Sequence, residues 1–420
     1  MSTLKRHNSE PRLLIIQFAR FGDLMQAAPL INALARQENA ASIDLLVNDE
    51  LVCLAERIIG VRKVWSFQRE EWLDLCRRRE ASIVDWANTI VRNTCEIRQQ
   101  EYDKVINLSH TFESAYIASM MNCQNIVGLV GERDQVNQVG EWERYFHFVL
   151  RNRSENGFNL VDIHKKQLGI EKTFLAPWLK LDENKIAEIA AKFHLKSESQ
   201  RKMVAIQLGA NHWVRRWGVE NWVRVAEKIS HDSSVIFYLV GSNKEITLAQ
   251  DFQRQYSGKV VNLIGKTNLV ELGSVIGRCH LVLGGDTGTM HLAAALGIPT
   301  LSIFLGMARQ EDTAPYGSGR MIFSPERYCY PCAEQSSCTH LKCHQDISIG
   351  AVADAGLCLL ENIPVEAKQE QTFKISVTYF DEDGCQRLKN TEGIDPQMQE
   401  KAVLRVLSNA SAFTIGMVEQ

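Results

Sequence analysis

Two apolar runs in this chain, residues 13–18 and 203–208, each lead into a Gly-containing turn and then a segment of helical period. Leu, Ile and Val without polar alternation mark a strand buried on both faces, as in a parallel sheet covered by crossover helices. The same texture predicts further strands at 43–47, 61–67, 104–108 and 126–129, and in the second half at 235–240, 260–264, 281–283, 300–304 and 321–323. Helices are predicted between them, among others at 24–36, 219–230, 269–277 and 290–296. The fold class is therefore α/β, with two doubly wound domains in tandem. The first is expected over residues 1–175, with a polar, solvated helical insert at about 69–100. The second is expected over 176–363, opening on a linker and helix at 176–200. From Pro364 the composition shifts, and residues 364–420 read as a small appendix of unknown role: a period-two strand at 373–380, a turn at 381–384 and a helix at 396–407.

Lys plus Arg is 47 and Asp plus Glu is 50, a net charge of −3, so no global field draws the chain to nucleic acid or to an anionic membrane. Any basic site must be local. No run approaches the ~20 apolar residues of a spanning helix. The start of the chain is polar and the 11 cysteines are an odd, scattered number, which fits a reduced, cytoplasmic compartment without a secretory leader.

Four constellations carry chemistry. Phe21-Gly22-Asp23 follows the first strand, where Gly22 lets backbone approach a ligand and Asp23 is either a helix cap or a general base. Gly284-Gly285-Asp286-Thr287-Gly288-Thr289-Met290-His291 lies between an apolar strand and an apolar helix, an anion cradle suited to a diphosphate or else a plain capped turn. Arg215 and Arg216, in the Trp-rich stretch 213–217, are candidates to hold phosphate oxygens, and Glu245 follows another strand end. Cys329, Cys332, Cys338 and Cys343 supply four thiols, with His340 and His344 interleaved, enough for a tetrahedral zinc site although the spacing is not that of a common finger. Neither a P-loop nor an early G-x-G-x-x-G is present, which weighs against nucleoside triphosphatases and dinucleotide enzymes.

Taken in order, Leu14-Ile15-Ile16 to Arg20-Phe21-Gly22-Asp23-Leu24, Gly209 with Arg215-Arg216-Trp217 and Glu220, the run from Gly285 to Pro299, and the Cys-x-Pro-Cys segment resemble glycosyltransferase family 9, the heptosyltransferases of lipopolysaccharide core assembly. The resemblance covers about residues 12–363. It implies a GT-B architecture of two facing Rossmann-like domains, acceptor on the first and nucleotide-sugar on the second, with the helix at 347–362 crossing back. It also implies inverting transfer from an ADP-activated heptose, with no cofactor and no bound metal required.

By motif, Asp23 would be the general base, with Gly22 beside it on the acceptor side. Arg215 would stabilise the departing ADP with the amides of Thr287 and Gly288. Arg216, Asp286 and His291 would hold the donor's phosphates and sugar, Glu245 would read the nucleotide end, and Lys266 and Thr267 would form a donor-side turn. Residues 107–121 and the insert before them would shape the acceptor pocket. Arg215 stands where the family usually has Lys, and Gly218 and Thr289 each replace a Pro. A glycolipid acceptor would bring peripheral contact with the inner face of the cytoplasmic membrane. The competing readings are a GT-B transferase or epimerase using a different nucleotide-sugar, and a catalytically idle member acting as a zinc or binding module.

Overall fold

A computed structural model describes residues 10–37, 42–77, 82–132, 135–193, 195, 201–332, 338, 340–363 and 372–390. The chain forms two compact units, Met1–Glu155 with Ile163–Phe174, and Asn156–Asp162 with Leu175–Gln420. No helix among the described residues is long and apolar enough to cross a membrane.

The first unit contains β1 (Arg12–Gln17), α1 (Phe21–Arg36), β2 (Ser42–Asn48), α2 (Val52–Ala55), β3 (Val61–Phe67), α3 (Arg69–Arg77), α4 (Ile83–Arg98), β4 (Lys104–Asn107), α5 (Phe112–Ser119), β5 (Ile126–Glu132), β6 (Gln135–Val139) and α6 (Glu141–Arg151). Helix α7 (Leu160–Gln167) spans a boundary between the units. The sheet order is β3-β2-β1-β4-β5-β6, parallel through β5 and antiparallel at β6. β1 sits in the middle with Leu14, Ile15 and Ile16 fully buried, which is why it carries no polar alternation.

The segment expected as a solvated insert at 69–100 is instead the crossover from edge strand β3 to β4, which lies beyond β2 and β1. Parallel strands of one sheet need such a crossover. Its helices bury Trp72 and Ile97 in the core with Phe67 and Tyr102, so only part of the segment is solvated. β6 was not foreseen: its sequence QVNQV is polar and mostly exposed, as an edge strand permits.

The second unit contains α8 (Glu183–Lys192), β7 (Lys202–Gln207), α9 (Val219–Asp232), β8 (Val235–Val240), α10 (Ile246–Gln255), β9 (Val260–Asn262), α11 (Leu269–Ile276), β10 (Leu281–Gly285), α12 (Gly288–Ala295), β11 (Thr300–Ile303), α13 (Gln310–Thr313), β12 (Met321–Pro325), α14 (Lys342–Asp346), α15 (Ile349–Glu361), β13 (Phe373–Phe380) and β14 (Gln386–Asn390). The order is β14-β13-β12-β11-β10-β7-β8-β9. β7 to β12 run parallel, and the last two strands are antiparallel additions.

Residues 373–390 are thus a hairpin that extends the second sheet rather than a separate appendix. Phe323 pairs with Ile375 in register, and its ring stacks on Phe373 at 5.7 Å. The helix expected at 396–407 lies outside the described residues. Helix α15 packs on α9. Gly356 makes that approach possible, because a Cβ there would stand 3.0 Å from Ile229 Cδ1.

In both sheets the strand order reverses beside the first strand: at β1/β4 in one unit and at β7/β10 in the other. A crevice opens outside the carboxyl ends of strands at such switch points, and ligands of open α/β sheets bind there.

Candidate active site

At the switch point of the second unit, Gly284 stands opposite Gln207 in register. A Cβ on Gly284 would lie 3.1 Å from both Gln207 Cβ and Met290 Sδ, so the glycine admits Gln207 to the edge. The chain then turns through Asp286 and Thr287 into α12. No side chain caps α12, although Thr287 is its N-cap, and Thr287 Oγ1 is buried without a hydrogen-bond partner. Unmet first-turn amides and a positive helix end are suited to an anion.

Arg215 closes a 3-10 turn (Trp213–Arg215), and its Nη2 donates to both the main-chain oxygen and the carboxylate of Asp286. His291, buried in α12, brings Nε2 to 3.9 Å from Asp286 Oδ1. Asp286, Thr287, Gly288 and His291 therefore lie together where β10 turns into α12, and Arg215 reaches that turn from the separate turn after β7.

Arg216 behaves differently. Its Nε donates to Ala210 O at 3.0 Å, which shapes its own loop. Glu245 is also committed: Oε2 accepts from Ser242 N at 2.6 Å and Ser242 Oγ at 2.7 Å, and Oε1 accepts from Gln207 Nε2 at 3.0 Å. It nests against Gly209, where a Cβ would fall 2.3 Å from Glu245 Cγ. Lys266 is exposed, with Nζ donating to Asn262 O at 2.9 Å. The turn of Lys266 and Thr267 abuts the β8 end through Gly265 N–H to Gly241 O at 2.9 Å.

Gln207 is the residue that sequence reasoning missed. Besides holding Glu245, its Oε1 accepts from Thr289 Oγ1 at 2.8 Å, so one buried amide ties two strand ends to α12. Thr289, read as a departure from the family's Pro, supplies that hydroxyl. Gly218, the other departure, has φ +71°, a conformation closed to proline.

The Cys-rich segment runs beside this turn. Cys332 N–H bonds Gly306 O at 2.9 Å, Tyr330 Oη donates to Ala308 O at 2.8 Å, and His344 Nε2 lies 2.7 Å from Val214 O. Burial, then the carboxylates of Glu311 and Asp286, push the Tyr330 phenol well above its ordinary value, so it stays a donor. Burial pushes the Cys343 thiol up to about 11. Cys338 Sγ is 3.7 Å from His340 Nδ1, yet none of Cys329, Cys332, Cys338 and Cys343 belongs to a group of three ligand atoms within 4.8 Å among the described residues.

In the first unit, Phe18 N–H bonds Ser109 Oγ at 2.6 Å and Phe18 O accepts from Asn48 Nδ2 at 2.7 Å, which holds the loop after β1. Gly22 and Asp23 occupy the first turn of α1. Asp23 Oδ2 accepts from Arg20 N–H at 2.9 Å, so one carboxylate oxygen serves as a cap.

The profile of glycosyltransferase family 9 (heptosyltransferase) matches residues 90–342. Lipooligosaccharide heptosyltransferase 2 of Campylobacter jejuni is 27% identical over 168 residues, which cover 39% of this chain and about half, 52%, of that protein. Its Haemophilus influenzae namesake is 24% identical over 312 residues, 72% of this chain and 85% of that protein. The structure of E. coli ADP-heptose lps heptosyltransferase II superposes with a TM-score of 0.62 at 19% identity, covering 83% of this chain and 98% of that one. Two Rossmann-like units of this topology are the GT-B architecture, and the chain belongs to glycosyltransferase family 9, the heptosyltransferase family.

Proposed function

We propose that the chain transfers a heptose from an ADP-activated donor to a lipopolysaccharide-core or related surface-glycan acceptor, with inversion at the anomeric carbon and without a metal on the leaving diphosphate. The observation that carries this reading is the uncapped N-terminus of α12 with Arg215 beside it: donors and a fixed cation gathered where a departing diphosphate needs charge stabilisation. The acceptor hydroxyl oxygen attacks the anomeric carbon, its proton passes to Asp23, and the sugar–phosphate bond breaks with its electron pair leaving on ADP. Arg215 and the amides of Thr287 and Gly288 meet that charge, while Asp286 and His291 orient the donor. Arg216, Glu245, Lys266 and Thr267 flank the donor, with Glu245 acting through the loop it builds against Gly209. A glycolipid acceptor would bring the protein to the cytoplasmic face of the inner membrane as a peripheral contact.

Thermal melting with ADP, UDP and GDP in parallel tests the donor. ADP should raise the midpoint most, and a response confined to UDP or GDP would overturn the assignment.

A further inference from the structure

A second polar cluster lies in the first unit, beside its switch point. His110 sits in the loop after β4, directly after Ser109, which holds the β1 loop through Phe18. Glu143 and His147 are four residues apart on α6 and so share one face. Glu143 is fully buried, whereas the side chains of His110 and His147 keep 22% and 23% exposure. Glu143 Oε1 is 3.0 Å from His147 Nε2 and 3.7 Å from His110 Nδ1. One ligand atom from each of the three residues lies within 4.8 Å of the others.

Two features set this cluster apart from an ordinary buried ion pair. The ion-pair partners of the fully buried Glu143 carboxylate include two histidines, His110 and His147. His110 Nδ1 is itself buried and without a hydrogen-bond partner.

The surroundings also orient the three groups. The His110 ring stacks on Phe146 at 3.8 Å and 16°. Glu143 Oε2 accepts from Gln167 Nε2 at 2.8 Å, and Gln167 Oε1 lies 3.2 Å from His164 Nδ1. That leaves Oε1 to the two imidazoles. Partners behind the ligating atoms, fixing ring and carboxylate direction, are what metal sites require.

We propose that His110, Glu143 and His147 form a binding site for a divalent transition-metal ion of the zinc class. Ligand bonds of about 2.0–2.2 Å place neighbouring atoms of a tetrahedral ion roughly 3.4 Å apart, and the two observed contacts to Oε1 lie on either side of that spacing. Three protein ligands leave a coordination position for water or a ligand oxygen. The site ties the β4–α5 loop to α6 and is separate from the thiols of the second unit.

Cobalt(II) titration of the full chain, stripped with chelator, tests this, because nitrogen and oxygen ligands give visible bands without the near-ultraviolet thiolate charge-transfer band. The expected result is equimolar binding with the nitrogen/oxygen spectrum, retained in Cys329→Ser/Cys332→Ser and weakened at least tenfold in His147→Gln and His110→Gln. His147→Gln keeps a hydrogen-bond donor for Glu143, and circular dichroism reports its folding. If His147→Gln fails to fold, His110→Gln decides. Absence of binding, a spectrum carried wholly by thiolate bands, or unchanged affinity in the folded histidine variants would overturn the proposal.

Discussion

Arg215 donates through Nη2 to both the main-chain oxygen and the carboxylate of Asp286, with the two side chains only 16% and 12% exposed. One guanidinium thus fixes the turn that opens α12 and lends its charge there. Arg215→Ala should lower kcat/KM by about 10²–10³-fold, the range for losing one preorganised donor. Arg215→Lys should be milder, since it keeps the charge but loses the fork. Because the residues act as a unit, Arg215→Ala and Asp286→Ala should combine with far less than additive loss, read in steady-state transfer assays.

Gln207 links Glu245 to Thr289 inside the sheet edge. Thr289→Val removes one of these bonds and strands a buried amide oxygen. Stability should fall by about 1–3 kcal/mol and ADP affinity should drop with it. Urea unfolding and nucleotide titration of the same variant measure the two effects.

Asp23 caps α1 with one oxygen, so a loss of activity in Asp23→Ala mixes capping with chemistry. Asp23→Asn keeps an acceptor for Arg20 N–H and removes the base. Asn should melt within about 1 kcal/mol of wild type, a cap's usual worth, yet share the alanine variant's loss of transfer while ADP binding persists. A folded asparagine variant with full transfer would overturn the base assignment.

His280 should make folding acid-sensitive. Burial, then Lys202, hold its imidazole below the ordinary value, and Met203 N–H donates to Nδ1 at 3.1 Å, a bond that protonation would destroy. As pH falls through about 6.5 the unfolded chain takes up this proton before the native state does. The unfolded state then binds more protons, so this contribution is full above about pH 6.5 and declines below it toward the native value. Urea midpoints of wild type and His280→Gln should therefore converge as pH is lowered from about 7.5 to 5.5.

Asp162 is fully buried and accepts from Tyr316 Oη at 2.7 Å and Gln386 N–H at 2.7 Å, which pins segment 156–162 to the last hairpin. Asp162→Ala should cost about 2–4 kcal/mol, with two buried donors unmet, and Asp162→Asn distinctly less because an acceptor remains. Chemical unfolding at neutral pH separates them.

The central strands, their Gly-containing turns and the helices behind them were legible because their causes are local. A strand covered on both faces must be continuously apolar, and backbone close to a ligand needs glycine. Family motifs carried Asp23, Arg215, Asp286, Thr287, Gly288 and His291; Asp286, Thr287, Gly288 and His291 share one turn for the same local reason, whereas Arg215 reaches it only through the tertiary structure. What depended on neighbours distant in sequence was decided by tertiary structure alone. QVNQV is a strand because β5 offers an edge, residues 69–100 are a crossover because β4 lies beyond β1, and 373–390 joins the sheet because β12 would otherwise end it. Gln207 closes an apolar run without distinction until Glu245 and Thr289 arrive on either side. Asp23 carries no local sign that one carboxylate oxygen is spent on capping, whereas Ser242-x-x-Glu245 is a capping-box pattern already visible in the sequence. His110, Glu143 and His147 become one cluster only when α6 lies against the loop after β4, since convergence of side chains belongs to packing and leaves no periodicity in the sequence.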